Sequence, residues 1–263
     1  MQKKIWSKFQ FNAILALTVL GVACNSFADD PDKMPTAEMV FKKYIEASGG
    51  VEKLKAIKSV KMSGNMEAKA MGISGTVEIN LITPNMVLEK ANLPAVGVSA
   101  RGTNGEVAWE NTTMTGPRII EGKEKSRLFE QANFERIYAP NKYYKEIKVL
   151  GTETIDDKKC YSVKLVRKDD FESTEYFSIE TGLPMRTDAT LTIQMGDIEI
   201  KSKMLEYKDV NGVKFPSKIE MAFPNGMSQV VTIEKIEVNG DIDKSSFDPP
   251  KDVKGLIEGS TDG

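Results

Sequence analysis

The sequence predicts a mainly β protein with a few helices, built on an antiparallel sheet that has one apolar face. Between residues 152 and 223, apolar side chains recur at every second position, as in Tyr161, Val163 and Leu165, in Phe177 and Ile179, and in Leu191, Ile193 and Met195. A period of two is typical of strands that bury one face. Turn signals at Asp156-Asp157, at residues 180–184 and at Asn211-Gly212 separate these strands and predict successive hairpins.

The first 28 residues have the pattern of an export signal. They contain three lysines, an apolar run over residues 13–22, and the triplet Ser26-Phe27-Ala28. The apolar run is shorter than the ~20 residues that a membrane-spanning helix needs. We therefore expect cleavage after Ala28, which makes Asp29 the mature N-terminus. The alternative is acylation of Cys24, which follows a loose lipoprotein-box pattern and would anchor the protein to a membrane.

The expected domain organisation is a signal peptide at 1–28, a linker at 29–35, one domain at 36–249 and a flexible tail at 250–263. The tail is predicted from Pro249-Pro250, because two prolines cannot sit inside a paired strand. Residues 1–28 contain no acidic side chain, so their removal changes the formal net charge from −2 to −5. A negative balance argues against a nucleic-acid partner, which is bound largely through clustered Lys and Arg.

Helices are expected at the start of the domain. Thr36 can cap a first helix that ends at Gly49-Gly50, and a second short helix is predicted over residues 51–57. The apolar period changes to two at Val60, where the sheet should begin.

One further helix is predicted inside the sheet region. Asn104-Gly105 indicates a hairpin between two short strands. Beyond it, the apolar residues between 123 and 137 fit helical spacing, so we expect a helix there that covers part of the sheet.

The residue inventory excludes several kinds of chemistry. The chain has no histidine, which removes Ser-His-Asp and Cys-His arrangements and the usual zinc sites. Cys160 fits a packed structural cysteine, and the pairs Asp156-Asp157 and Asp169-Asp170 fit turn positions. We expect no enzyme activity, no metal and no cofactor.

The apolar face is instead rich in methionine, whose flexible thioether suits a surface that adapts to ligands of variable shape. We therefore predict a cavity for an apolar ligand. Its predicted lining is Met62, Met66, Val77, Ile79, Met86, Leu88, Trp109, Leu128, Phe129, Phe177 and Ile193.

Six short motifs stand in an order that resembles a known superfamily. They are the segments at 44–50, 105–109, 161–163, 181–184, 207–216 and 247–249, which include Ser48-Gly49-Gly50, Thr181-Gly182-Leu183-Pro184 and Asn211-Gly212. Together they resemble the outer-membrane lipoprotein-sorting proteins, the LolA-like and LolB-like periplasmic carriers. The resemblance implies a curved antiparallel half-barrel whose concave face is covered by helices and holds acyl chains.

The same resemblance implies a function and an alternative. It implies a periplasmic, non-enzymatic carrier for the acyl chains of a lipoprotein or lipid, working with an envelope membrane protein. The alternative on this fold is a protein-interaction module that senses envelope stress. The best-known carriers hold their covering helices with an arginine of the sheet, for which Arg101, Arg118 and Arg186 are the candidates here.

Overall fold

The computed structural model describes residues 34–193, 196–224 and 226–259. In these ranges thirteen strands form one antiparallel sheet, with the spatial order β6-β5-β4-β3-β2-β1-β13-β12-β11-β10-β9-β8-β7. The strands are β1 (Ser59–Ala68), β2 (Ile73–Ile82), β3 (Met86–Leu93), β4 (Gly97–Thr103), β5 (Ala108–Thr112), β6 (Gly116–Ile120), β7 (Tyr144–Ile155), β8 (Lys158–Arg167), β9 (Glu172–Ser178), β10 (Pro184–Ile193), β11 (Gly196–Val210), β12 (Val213–Ala222) and β13 (Ser228–Val238). The mainly β fold predicted from the alternation is confirmed.

Five α-helices accompany the sheet in the described part of the chain. They are α1 (Ala37–Ala47), α2 (Val51–Ala56), α3 (Gly122–Glu130), α4 (Glu135–Tyr138) and α5 (Lys251–Gly259), with short 3-10 turns at Lys69–Met71, Pro140–Lys142 and Lys244–Phe247. As predicted, Thr36 caps α1, because its hydroxyl accepts a hydrogen bond from the Met39 amide at 3.3 Å.

The sheet curls strongly around α3. Strands β3 and β10 are six strand spacings apart in the sheet order, which corresponds to roughly 29 Å in a flat sheet. A nine-residue helix is only about 13.5 Å long, yet α3 contacts β3, β4 and β10. The sheet therefore has a concave face, on which α1 to α4 pack, and a convex face.

The helix predicted over residues 123–137 is divided into α3 and α4. The chain leaves the helical path after Glu130, and the side chain of Asn133 accepts a hydrogen bond from the Glu135 amide at 3.1 Å. Asn favours such local bonds over a continuous helix, so it starts a new helical segment. The result is two short helices in place of one.

The predicted flexible tail is wrong for residues 251–259, which form α5. Pro249-Pro250 interrupts strand pairing as expected, but the Pro250 carbonyl accepts hydrogen bonds from Val253 and Lys254, both at 3.0 Å. Proline is tolerated at the start of a helix, where its missing N–H is not needed. Val253 is fully buried on the convex face beside Trp109 and Phe247.

The signal peptide at 1–28 and most of the linker at 29–35 lie outside the described residues. Cleavage after Ala28 and acylation of Cys24 both stay predictions. Within the described ranges, the structure contains no helix with the length and apolar character to cross a membrane.

Candidate ligand-binding site

The concave face carries an apolar cluster under the helices. Leu128 of α3 and the nearby Ala132 are buried against Leu81, Val87 and Ile120 of the sheet, at 3% exposure or less for the two helix-side residues. The cluster continues to α2 and to β12 at the other side of the concave face. The space beneath Leu128 and Ala132 is thus filled by side chains.

Helix α1 is fixed to the sheet through its backbone and its aromatic side chains. The Ser48 carbonyl at its end accepts a hydrogen bond from the Lys214 amide at 3.1 Å. Gly49 has φ +124°, and a Cβ atom there would lie 2.4 Å from the Gly212 carbonyl oxygen, so no other residue fits without a shift. The Phe41 and Phe177 rings lie 5.7 Å apart, within the range of favourable ring contacts. The turn motifs at 48–50 and 211–212 therefore meet in space.

Helix α3 is held differently, by side chains that reach the two ends of the sheet. Arg118 of β6 donates two hydrogen bonds to Glu124 of α3, at 2.9 and 2.7 Å, and a third to Glu110 at 2.5 Å. At the other end, the Ser126 hydroxyl donates to Asp169 at 2.7 Å, in the turn between β8 and β9. These two polar contacts bridge nearly opposite ends of the strand order. We call them the α3 latches.

The structure distinguishes the three arginines that were candidates for holding the covering helices. Arg118 donates hydrogen bonds to Glu124 of α3. Arg101 pairs with Glu89 on the neighbouring strand, and Arg186 lies on the convex face with Asp188 and the Tyr176 ring. Arg118 and Glu124 are only six residues apart, on β6 and the helix that directly follows it.

Acid should loosen both latches. Burial raises the pKa of Glu124, but the hydrogen bonds and charge of Arg118 outweigh it and hold this pKa below its ordinary value. Asp169 follows the same pattern, with Ser126 and Arg167 outweighing burial. A lowered folded-state pKa contributes stability above the unfolded value, about 4, and this stability is lost as pH falls through the folded value.

We expect Glu124→Gln to loosen α3 at neutral pH. The substitution removes a charge-assisted pair but leaves Arg118 bound to Glu110, so no unpaired cation is created. Hydrogen exchange of the α3 amides should accelerate about tenfold or more, while exchange in α1 is unchanged. Lys123→Gln, at an exposed position of the same helix, is the control. Unchanged α3 exchange in Glu124→Gln would mean that the apolar cluster alone holds this helix.

A groove of about 670 Å³ lies between α1, the start of α2, residues 138–141 and the start of β7. We call it the α1 groove. Ala37, Phe41 and Ile45 line one wall, at successive four-residue spacings on α1, and Tyr144 and Ile147 line the opposite wall. Its volume lies within the ~300–1,000 Å³ typical of small-molecule sites.

A second cavity of about 230 Å³, lined by charged as well as apolar side chains, lies between α3, α4 and strands β8 to β11, and we call it the α3 cavity. Three arginines and two glutamates contribute to its lining, namely Arg127, Arg136, Arg167, Glu130 and Glu175. Hydroxyl side chains of β9, β10 and β11 complete the polar part. Tyr144 lines both the α3 cavity and the α1 groove, so the two spaces adjoin at this side chain.

The charges in the α3 cavity perturb one another. Burial raises the pKa of the Glu175 carboxyl, and the nearby charge of Arg136 opposes this only in part. Burial raises the pKa of Glu130 in the same way, opposed by Arg167 and Arg136. Burial lowers the pKa of Arg127, and the positive charges of Arg101 and Arg167 lower it further. Cationic groups are therefore crowded beneath α3.

Seven of the predicted lining residues lie on or against the concave face. Met62, Ile79, Leu128 and Phe129 belong to the apolar cluster under the helices, Met66 and Val77 follow on the same face by strand register, and Phe177 packs against α1. The side chain of Ile193 lies outside the described residues.

The placement of Met86, Leu88 and Trp109 on the concave face is wrong. These three face the convex side, where they pack around Phe247 and Val253, and the Trp109 indole donates to the Phe247 carbonyl at 3.0 Å. The apolar residue between Met86 and Leu88, Val87, takes the concave position. Both faces of these strands are covered, so alternation does not show which set faces which side.

The residues of the α1 groove and the α3 cavity were missed. Of the predicted lining residues whose side chains are described, none lines either space. The apolar residues at 37, 41 and 45 of α1 could have been predicted from the sequence to share one surface, since this spacing defines one face of a helix. The three arginines of the α3 cavity could not be found in this way, because they come from three separate elements, α3, α4 and β8.

No protein-family model and no curated protein sequence matches this chain. Solved structures do match it. A DUF1329 family protein from Desulfovibrio piger has a TM-score of 0.56 at 9% identity, covering 82% of this chain and 98% of that one. A LolA superfamily protein from Nitrosomonas europaea has a TM-score of 0.55 at 14% identity, covering 82% and 99%.

A third structure, a putative outer membrane lipoprotein-sorting protein domain from Vibrio parahaemolyticus, has a TM-score of 0.53 at 9% identity, covering 84% of this chain and 99% of that one. The fold is therefore LolA-like, as the sequence motifs predicted. Identities this low establish the fold alone.

Proposed function

We propose that the protein is an exported, non-enzymatic carrier that binds the acyl chain of a lipoprotein or lipid, with the α1 groove as the seat of the chain. The observation that carries this proposal is the groove itself, which has about 670 Å³ and mostly apolar walls, with charged residues of α1 and β7 also in its lining, beside the covering helices of a LolA-like sheet. An envelope membrane protein would deliver or receive the cargo.

Helices α1 and α3 are attached to the sheet in different ways, which supports different roles for them in ligand binding. Helix α1 is bound by its backbone and aromatic rings, so it forms a fixed wall of the groove. Helix α3 is held by the two latches and by its apolar stripe around Leu128. Displacing α3 would expose that stripe and the concave sheet, and so extend the apolar surface beyond the α1 groove.

The energetics permit reversible carriage. Burial of apolar surface contributes about 25 cal/mol per Å², so a few hundred Å² of acyl chain contributes roughly 5–10 kcal/mol. Much of this is offset by the cost of association. A moderate net affinity lets the ligand be passed to a partner that buries it equally well.

Filling the groove tests the proposal. We expect Ala37→Trp to lower the amount of acyl lipid that copurifies with the protein by about tenfold, which corresponds to ~1.4 kcal/mol of binding free energy. Organic extraction followed by mass spectrometry measures this amount. Met39→Trp is the matched control, because it places the same side chain on an exposed position of α1.

The outcomes separate the two functions that the fold allows. Equal lipid in wild type, Ala37→Trp and Met39→Trp would place the acyl chain outside the groove. No bound lipid in any of them, and no uptake of added lipid by the purified protein, would exclude the carrier and favour a protein-interaction module.

A further inference from the structure

We propose that the α3 cavity binds the phosphate group of a phospholipid whose acyl chain lies in the α1 groove. This inference rests on the proposed function and adds the chemical class of the cargo, an anionic amphiphile. The carrier would then hold its ligand at two adjoining sites, of which only the α3 cavity is lined by arginine.

The placement of arginine points to this ligand. The chain has six arginines and 30 lysines, yet the cations that line the cavity are three arginines, with no lysine among the described lining residues. Arginine presents a planar fork of donors that matches two phosphate oxygens at once, whereas lysine is a strongly hydrated point charge. Three of the six are concentrated in one small cavity.

The surrounding groups add further donors. Ser173, Thr187 and Ser202 come from three adjacent strands, and Thr187 and Ser202 are direct cross-strand partners. Their hydroxyls can donate to phosphate oxygens that the guanidinium groups leave free. Tyr144, which is hydrogen-bonded to Arg136, stands at the boundary with the α1 groove.

The cavity becomes positively charged when its lining carboxyls take up protons. Three guanidinium groups and two carboxyl groups line it, and Arg167 also pairs with Asp169, so the charges nearly cancel while all three carboxyls are ionised. Both lining carboxyl groups have a raised pKa, so taking up a proton is easier for them than for exposed carboxyls, whereas arginine stays charged. A bound phosphate would also offset the repulsion among Arg101, Arg127 and Arg167.

The two spaces share one lining residue, Tyr144, whose ring contacts the Phe41 ring at a centroid distance of 6.5 Å. One ligand can therefore span both spaces only when the Tyr144 ring turns aside. With that ring displaced, an acyl chain against Phe41 would continue toward Arg136, to which Tyr144 is hydrogen-bonded.

The experiment compares three probes on delipidated protein without residues 1–28. They are palmitoyl lysophosphatidylglycerol, monopalmitoylglycerol, which has the same chain and no phosphate, and inorganic phosphate alone. Calorimetric titration is expected to show that the lysophospholipid binds about tenfold or more tightly than the neutral lipid. Inorganic phosphate at millimolar concentration should leave the melting temperature unchanged, because it lacks the chain.

Arginine variants test whether the α3 cavity causes the preference for the lysophospholipid over the neutral lipid. Arg127→Gln and Arg136→Gln should each bring the two lipid affinities within about twofold of one another, with little change for the neutral lipid. Arg186→Gln is the matched control, since this arginine is also paired with a carboxylate but lies on the convex face. It should keep the wild-type preference.

The results distinguish this inference from the proposed function. Equal binding of both lipids by the wild-type protein would overturn the phosphate site and leave the carrier intact, whatever the variants do. Binding of neither lipid would overturn the carrier and the phosphate site together. Stabilisation by inorganic phosphate that is lost in Arg127→Gln would identify a site for free phosphate and overturn its assignment to a lipid.

Discussion

Val253→Asp is expected to lower the free energy of unfolding by roughly 3–5 kcal/mol, through the loss of a buried valine and the burial of a carboxyl group without a partner. Val253 is fully buried among Leu88, Trp109 and Phe247 on the convex face. If the mutant avoids this cost by undocking α5, Trp109 is exposed to water. Trp109 is the one tryptophan after residue 28, so its emission should shift to the red.

The control for this prediction is on the same helix. Leu256 is 43% exposed, so Leu256→Asp should change stability by no more than about 0.5 kcal/mol. Urea unfolding and the emission spectrum measure both effects. Wild-type stability and emission in Val253→Asp would instead mean that residues 251–259 are mobile, as their two preceding prolines first indicated.

The position of Trp109 also changes what its fluorescence can report. A tryptophan on the concave face would respond to bound lipid, but Trp109 lies on the convex face against Phe247. We therefore expect its emission to follow the docking of α5. Ligand binding in the α1 groove is better followed by calorimetry or mass spectrometry.

Gly64→Ala is expected to destabilise the protein by about 3 kcal/mol, since forced overpacking typically costs 1–3 and occasionally more. Gly64 lies at the bulge where β1 pairs with β13, in the middle of the sheet order. A Cβ atom there would lie 1.9 Å from the Thr232 carbonyl oxygen and 2.9 Å from the Ile233 Cα. Both are backbone atoms, so the strands themselves must move apart.

Gly151→Ala is the matched control. Gly151 also lies beside a bulge in an antiparallel pair, but a Cβ atom there meets nothing within 4 Å. Because alanine restricts the unfolded chain, this substitution should be neutral or stabilising by up to about 1 kcal/mol. Denaturant unfolding of the two variants gives the comparison. Equal effects would mean that the close approach between β1 and β13 is relieved at little cost.

Turn chemistry made several local features predictable from the sequence. Asp156 and Asp157 both have positive φ, +47° and +63°, as a tight hairpin turn requires. Asp169 does more than its turn position indicated, because it also accepts the Ser126 hydrogen bond that latches α3. The second role depends on a residue 43 positions away, and local sequence contains no signal for such a contact.

By itself, the sequence determined the strands, the hairpins and the capped first helix, since these depend on apolar period and on turn and cap residues close in the chain. Only the tertiary structure decided which face each strand presents. In Met86-Val87-Leu88 three consecutive residues are apolar because helices cover one face and α5 the other. The candidate site also depends on curvature, which brings Asp169, near the other end of the sheet, to the helix that directly follows β6. Such contacts between distant strands are set by packing, and no period in the sequence encodes them.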